Sequence, residues 1–303
     1  MGLNIRKAEQ PSGPITDPHR PPRDYHDRPL VLLPDGSKRA PYGRPSGAGG
    51  ALEDTSGLTL WKSRLAAYGA VTTFPELAAE LSRMESLDDP AAKKRANEIT
   101  SIFQEAAGMS LKAEMGTIIH ALTEAEDRGE DLGYLPEKTR SLMEKYRELI
   151  ARLERDHGYR VLSTETFGVN DELKLAGTSD RISEYEGEVI VVDNKSSGSL
   201  DFGVGKFAMQ MLAYAGMVRY DDVAARQGED VGLGVGRTPM VEGREVSRTR
   251  AAIIWIPQSG ETAQFGLVNL EEAVVGYELA AGVREWRNKW KRKALKFTPI
   301  VAV

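Results

Sequence analysis

The feature that most constrains this chain is Val189-Ile190-Val191-Val192, an unbroken apolar run that stops at Asp193-Asn194-Lys195. A short continuous run of β-branched residues suits a strand buried on both faces. Side chains two apart on a strand share a face, so Asp193 and Lys195 leave its end in the same direction. A carboxylate and an ammonium at that position are costly to desolvate unless something pairs with them. Taken alone, a D-x-K pattern is satisfied by a strand-end ion pair followed by a loop.

The surroundings extend the pattern. Residues 159–169, 173–185 and 188–197 predict three successive strands, with Glu186-Gly187 as the turn between the second and third. Residues 202–220 predict a helix with an apolar stripe, 251–257 and 261–269 two further strands, and 270–290 a last helix. The polar, glycine-rich stretch 221–250 is expected as an exposed loop, alone or with a mobile hairpin in it, with Gly232-Leu233-Gly234-Val235-Gly236 as flexible linker inside it. Residues 51–158 predict a helical region in which 56–69, 74–84, 90–108, 110–129 and 136–158 carry apolar residues at helical spacing. Residues 1–50, rich in Pro, Gly and Arg, predict an extended, largely irregular arm that packs little. One hairpin is expected there, around Pro34-Asp35-Gly36. The fold class is α/β in the broad sense (α+β mixed): a strand-rich core over 159–303 with a helical covering.

The second strand contains Gly177-Thr178-Ser179-Asp180-Arg181-Ile182. Antiparallel pairing across the short turn brings Asp180 toward Asp193, within about 5 Å at neighbouring positions. Two unpaired carboxylates at that range repel. A divalent cation removes the repulsion and keeps sites open for water and phosphate, with Lys195 beside it to orient or deprotonate the attacking water. Glu165, on the first strand, is either a surface residue or a further member of this shell. His120, on an apolar helix face, is either a hydrogen-bonded core residue or a metal ligand. Gln210 and Tyr214 lie one helical turn apart and share a face, as a polar packing edge or as contacts to substrate phosphate and the lysine.

Composition narrows the chemistry. The chain has no cysteine, which excludes disulfides, thiolate zinc sites, cysteine nucleophiles and thiolate-held clusters. A net charge of −5 disfavours binding nucleic acid by bulk charge. A local basic run from Arg284 to Phe297 carries seven Lys/Arg against one Asp/Glu, and suits either phosphate contact or a solvated helix end. No apolar stretch approaches membrane-span length and the N-terminus lacks a signal-like apolar segment, so no membrane association and a cytoplasmic location are expected. No Gly-x-x-x-x-Gly-Lys-Ser/Thr loop is present to build a nucleotide-driven motor.

The ordered series G-x-x-x-H (Gly116, His120), E (Glu165), G-T-x-D-R-I (Asp180), hydrophobics-D-x-K-S (Asp193, Lys195) and Q-x-x-x-Y-A (Gln210, Tyr214) resembles the RecB-type branch of the PD-(D/E)XK nucleases. It is most similar to phage-encoded and CRISPR-associated exonucleases of that branch. The match runs from about Met115 to Tyr214, and its specificity lies in the order of motifs that are individually weak. The resemblance implies a restriction-endonuclease-like mixed sheet flanked by helices. It implies Mg²⁺ or Mn²⁺ held by His120, Asp180, Asp193 and the backbone carbonyl of Asn194. Lys195 then acts in catalysis, Glu165 supports the site, and Gln210 and Tyr214 line it. Many relatives carry four cysteines around an iron–sulfur cluster; this chain has none, so no such cluster is expected.

The implied activity is a metal-dependent deoxyribonuclease acting as an exonuclease on DNA ends or single strands, in replication, recombination or repair. Recombination or replication proteins are then natural partners, and host cytoplasm the location if the chain is phage-encoded. The alternative is a nucleic-acid-binding or assembly module that keeps the fold with little turnover. Cleavage of RNA or of another phosphodiester is a third.

Overall fold

A computed structural model of the protein describes residues 17–47, 49–196, 199–200 and 203–292. Its centre is a meander of three antiparallel strands: β3 (Arg160–Asn170), β4 (Leu175–Tyr185) and β5 (Glu188–Lys195). The β4–β5 connection is the expected two-residue turn. Tyr185 pairs with Glu188, and Glu186 and Gly187 take φ of 52° and 82°, the pair of positive angles that a tight twisted hairpin requires. β5 then pairs in parallel with β8 (Val246–Trp255), whose other edge takes antiparallel β9 (Gln264–Asn269). With β6 (Val218–Tyr220) and β7 (Arg237–Thr238) beyond β3, the sheet has seven strands in the order β7-β6-β3-β4-β5-β8-β9. This mixed sheet flanked by helices is the restriction-endonuclease-like architecture expected from the sequence.

β5 sits between β4 and β8, and both of its faces are covered, which is why Val189 to Val192 are all essentially solvent-free. On one face, Val189 and Val191 pack with Ile253 against α6 (Val204–Ala215) and α8 (Leu270–Arg292). On the other, Ile190 and Val192 pack with Ala252 and Ile254 against α4 (Met109–Asp127) and α5 (Glu137–His157). Alternation along one strand therefore serves two cores. Further out, α1 (Ser56–Thr72), α2 (Pro75–Ser82) and α3 (Pro90–Ala106) complete the helical region. Asp89 caps α3 by accepting from Ala92 N–H, and Gly158 closes α5 in a left-handed turn.

Three expectations need correction. The helix expected over 202–220 stops at Gly216, and Val218–Tyr220 instead add a strand to the open edge of β3, with Val169 opposite Val218. The backbone groups on that edge need partners, and this outweighs helical periodicity. The stretch 221–250, expected as an exposed loop, contains α7 (Asp222–Gln227), β7 and the buried Arg237. Arg237 donates twice to Asp171 at 2.8 Å and once to the Leu32 carbonyl at 2.9 Å, tying this stretch to the β3–β4 turn and to the N-terminal hairpin. Gly234 and Gly236 there are not linker: Gly234 has φ 99° and a Cβ on it would stand 2.7 Å from Pro34, and one on Gly236 2.4 Å from Ala225, so the chain passes where a side chain has no room.

The N-terminal residues behave likewise. β1 (Leu30–Leu32) and β2 (Arg39–Pro41) form the anticipated hairpin. Far from packing little, it buries Val31 and Tyr42 against Phe167, Val169, Ala176 and Tyr220, covering this end of β3 and β4. Residues 1–16 lie outside the described residues, as does the end of the basic run after Arg292.

Candidate active site

Sheet register builds the site. Arg181 pairs with Thr164 on one side and Val192 on the other. One residue further along, Glu165, Asp180 and Asp193 fall in a single row across β3, β4 and β5. Asp180 precedes Arg181, which faces the α4–α5 core, and its carboxylate reaches across the strand end to the Asn194 N–H of β5 and to His120 of α4. Glu165 departs from the pleat. Its φ is 47°, a left-handed value that costs a non-glycine residue energy and turns its side chain away from regular strand direction.

Asp193 is 2% exposed, and its Oδ1 accepts a long contact from Gln210 Nε2 at 3.4 Å. Lys195 Nζ abuts its buried Oδ2 as an ion pair. The same ammonium stands 4.6 Å over the Phe207 ring. Asp180 accepts the Asn194 backbone N–H at 2.9 Å, and the same Oδ2 lies 3.3 Å from His120 Nδ1. Tyr214 is buried beside Gln210 on α6.

Electrostatics separate the carboxylates. Burial, and then the charge of Asp180, push the Asp193 carboxyl up to about 6, against the pull of Lys195. For Asp180 burial acts upward too, but His120, the Asn194 N–H and Lys195 together hold it below the ordinary 3.8. Asp180 is thus the better-compensated anion of the pair. Crowding against the sheet, then Asp180 and Glu124, raise Glu165 above 4.5. Glu165 is exposed as a residue, so solvent weakens both the cost of burial and the repulsion. Burial first, then Asp193 and Asp180, push the Tyr214 phenol up, and it stays neutral.

The residues singled out from sequence therefore converge: Glu165, Asp180 and Asp193 in one row, Lys195 and Gln210 on Asp193, Tyr214 behind Gln210, and His120 on Asp180. Asn194 contributes its N–H, and because N–H and C=O of one strand residue face the same edge, its carbonyl turns toward β4 as well. Among the described residues no three His, Asp or Glu side chains stand as a ready metal cluster. His120 is engaged with Asp180, and Lys195 with Asp193. A family model for the PD-(D/E)XK nuclease superfamily matches residues 88–300. The chain belongs to that superfamily. Its members are generally nucleases and typically use divalent metals, so a metal-dependent nuclease is the coarse function that membership gives. No curated protein matches the chain. Among the described residues no helix is long and apolar enough to cross a membrane.

Superfamily motifs did not point to everything here. Glu124 lies one turn beyond His120 and adds its charge near Glu165, a position that helical spacing alone signals. Thr123 accepts from Asn194 Nδ2 at 2.8 Å. Arg20 reaches Thr178 and the Glu165 carbonyl from a segment before the matched region, and nothing in its own neighbourhood signals this. Beside the site, a cleft of about 950 Å³ runs past Lys195, His120 and Ser196 to Lys138 and Gln258. Gly116 lines it, and a Cβ there would stand 3.1 Å from Ser196 Oγ.

Proposed function

We propose that this PD-(D/E)XK protein is a Mg²⁺- or Mn²⁺-dependent exonuclease of the RecB-type branch that hydrolyses DNA at ends or in single strands, serving replication, recombination or repair. The observation that carries this reading is the row of Glu165, Asp180 and Asp193 with Lys195 against Asp193. The donors fit a divalent cation. They are carboxylate oxygens, an imidazole and a backbone carbonyl, without thiolate, and among the described residues the buried Asp193 Oδ2 is met by the Lys195 ammonium, a cation in the place where a metal ion would sit. Asp180, Asp193, His120 and the Asn194 carbonyl would hold the ion. When bound, it neutralises the charge that develops on the phosphodiester and lowers the pKa of a water. Lys195 shifts from Asp193 to orient that water or take its proton. Glu165 orients the water from the other flank, Gln210 holds Asp193 in place, and Tyr214 stays neutral and lines the site. The cleft beside Lys195 offers Lys138, Ser196 and Gln258 to the phosphates of the strand.

A second reading is favoured by the pairing of His120 with Asp180 and Lys195 with Asp193, which leaves no ready ligand cluster among the described residues: a binding or assembly module with little turnover. End-labelled linear DNA, closed-circular DNA and RNA, each with Mg²⁺ or Mn²⁺, separate the two. We expect release of nucleotides from linear DNA, no nicking of circles, and loss of activity in Asp193→Ala and Lys195→Ala. Equal turnover by both variants, or none by the wild type with either metal, rejects the enzyme reading.

A further inference from the structure

We infer that the Asn194 side chain and Thr123 form a clasp that positions His120 against Asp180, making them positioning residues for cation binding; this rests on the metal reading above. The contacts close a ring. Asn194 N–H donates to Asp180 Oδ2 at 2.9 Å, and Asn194 Nδ2 donates to Thr123 Oγ1 at 2.8 Å. Thr123 Oγ1 donates in turn to the His120 carbonyl at 2.9 Å, and His120 Nδ1 stands 3.3 Å from the same Asp180 Oδ2. Both members of the His120–Asp180 contact are thus tied to one residue between Asp193 and Lys195.

Attachment of α4 to the sheet does not need this polar path. Ile119 on α4 already packs in the apolar core that holds Ile190 and Val192 of β5. What packing leaves loose is the direction of His120, whose side chain is 35% exposed at the rim while Thr123 is fully buried. A hydrogen bond fixes rotation of the helix about its axis where apolar contact permits slippage. Among the described residues Asn194 Oδ1 is buried and accepts no hydrogen bond, so its amide is oriented through Nδ2 on Thr123. Groups that hold ligands from behind typically change metal affinity by about 10–100-fold when removed.

Titration of the full chain with Mn²⁺ by calorimetry, with thermal unfolding in chelator alongside, tests the clasp. Thr123→Val removes the hydroxyl and keeps the shape; Thr123→Ser restores it. We expect Thr123→Val to weaken Mn²⁺ binding about tenfold, the low end for such groups, and Thr123→Ser to bind as wild type. Thr123→Ala against Thr123→Ser repeats the comparison should valine not be accommodated. Wild-type Mn²⁺ affinity in the hydroxyl-less variants, with only the metal-free melting temperature lowered, makes Thr123 a packing peg and overturns the inference. Asp180→Asn is the control: loss of Mn²⁺ binding there with none in Thr123→Val rejects the clasp alone, whereas unchanged binding in Asp180→Asn rejects the metal reading and the clasp with it.

Discussion

Arg20 Nη2 donates to the carbonyl oxygen of Glu165 at 3.0 Å, from a segment 145 residues earlier in the chain. Its Nη1 donates to Thr178 Oγ1 at 2.7 Å, and its guanidinium lies 5.0 Å over Phe167. Glu165 holds a left-handed backbone angle, so a charged donor on its carbonyl stabilises a conformation that the strand alone disfavours. Hydrogen bonds from charged groups contribute about 1.5–3 kcal/mol. Arg20→Ala is therefore expected to lower kcat by about tenfold or more, since 1.4 kcal/mol is a factor of ten in rate. Arg20→Lys should recover part of it, because an ammonium cannot span both acceptors. A change in KM alone would show that Arg20 touches substrate rather than ordering Glu165.

Metal dependence should be visible without turnover. At Mn²⁺ concentrations 100-fold above Kd, binding to the folded state adds about 2.7 kcal/mol. The melting temperature of the wild type should rise accordingly and fall back with chelator, while Asp180→Asn stays flat in both conditions. A rise of equal size in Asp180→Asn would place the ion elsewhere.

Arg181 sits next to Asp180 in sequence but on the opposite face. It pairs with Asp127 and donates to the Tyr146 hydroxyl at 3.1 Å, with both charged side chains nearly solvent-free. Removing one member of such a pair leaves an uncompensated buried charge, at a cost of about 3–5 kcal/mol. Asp127→Ala should lose this much in urea unfolding. The double replacement Asp127→Leu with Arg181→Leu should recover most of it, and losses that merely add would refute the pairing.

Acid stability should report on the N-terminal hairpin. Burial acts to raise Asp171, but Arg237, the Tyr42 hydroxyl and Lys174 outweigh it and hold the carboxyl below 3.8. A lowered folded pKa contributes stability that is full above the unfolded value and drains as pH falls through the folded one. Asp171→Asn should therefore flatten the part of the stability profile below about pH 4 and leave its shape near neutrality unchanged. An unaltered acid limb would show that the carboxylate does not clamp Arg237.

Within the helical region, α1 meets α3 through Gly69. A Cβ there would stand 2.1 Å from the Phe103 carbonyl oxygen, a backbone atom that cannot swing aside. Gly69→Ala should push the two helices apart and cost about 1–3 kcal/mol, as overpacking does. Gly57→Ala on the same helix, with nothing near its Cβ position, should be neutral or stabilising, since alanine favours helix over glycine; equal losses would show that the Phe103 contact is not the cause.

Much of the site was legible because its logic is local. The apolar run before Asp193 and the Glu186-Gly187 turn are short-range signals, and together they imply the register that brings Asp180 beside Asp193. His120 was legible as an odd polar residue on an apolar helix face. The superfamily assignment followed from the order of these motifs, and the matched region covers them all. Segment 221–250 was not legible as structure, because β7 is two residues long and exists by pairing with β6, and the part of β8 that begins at Val246 is polar up to Arg250. The N-terminal hairpin was legible as a hairpin but not as a cover for β3 and β4.

The sequence by itself determined the three strands of the central meander, the tight turn and the carboxylate–lysine pattern, because each depends on residues close along the chain. Only the tertiary structure decided that Arg20 would hold Glu165, that Thr123 would bind Asn194, and that Arg237 would join three distant segments. Those contacts satisfy polar groups that become buried when the chain is already packed, and a buried donor is matched by whichever acceptor folding brings near, at any distance in sequence.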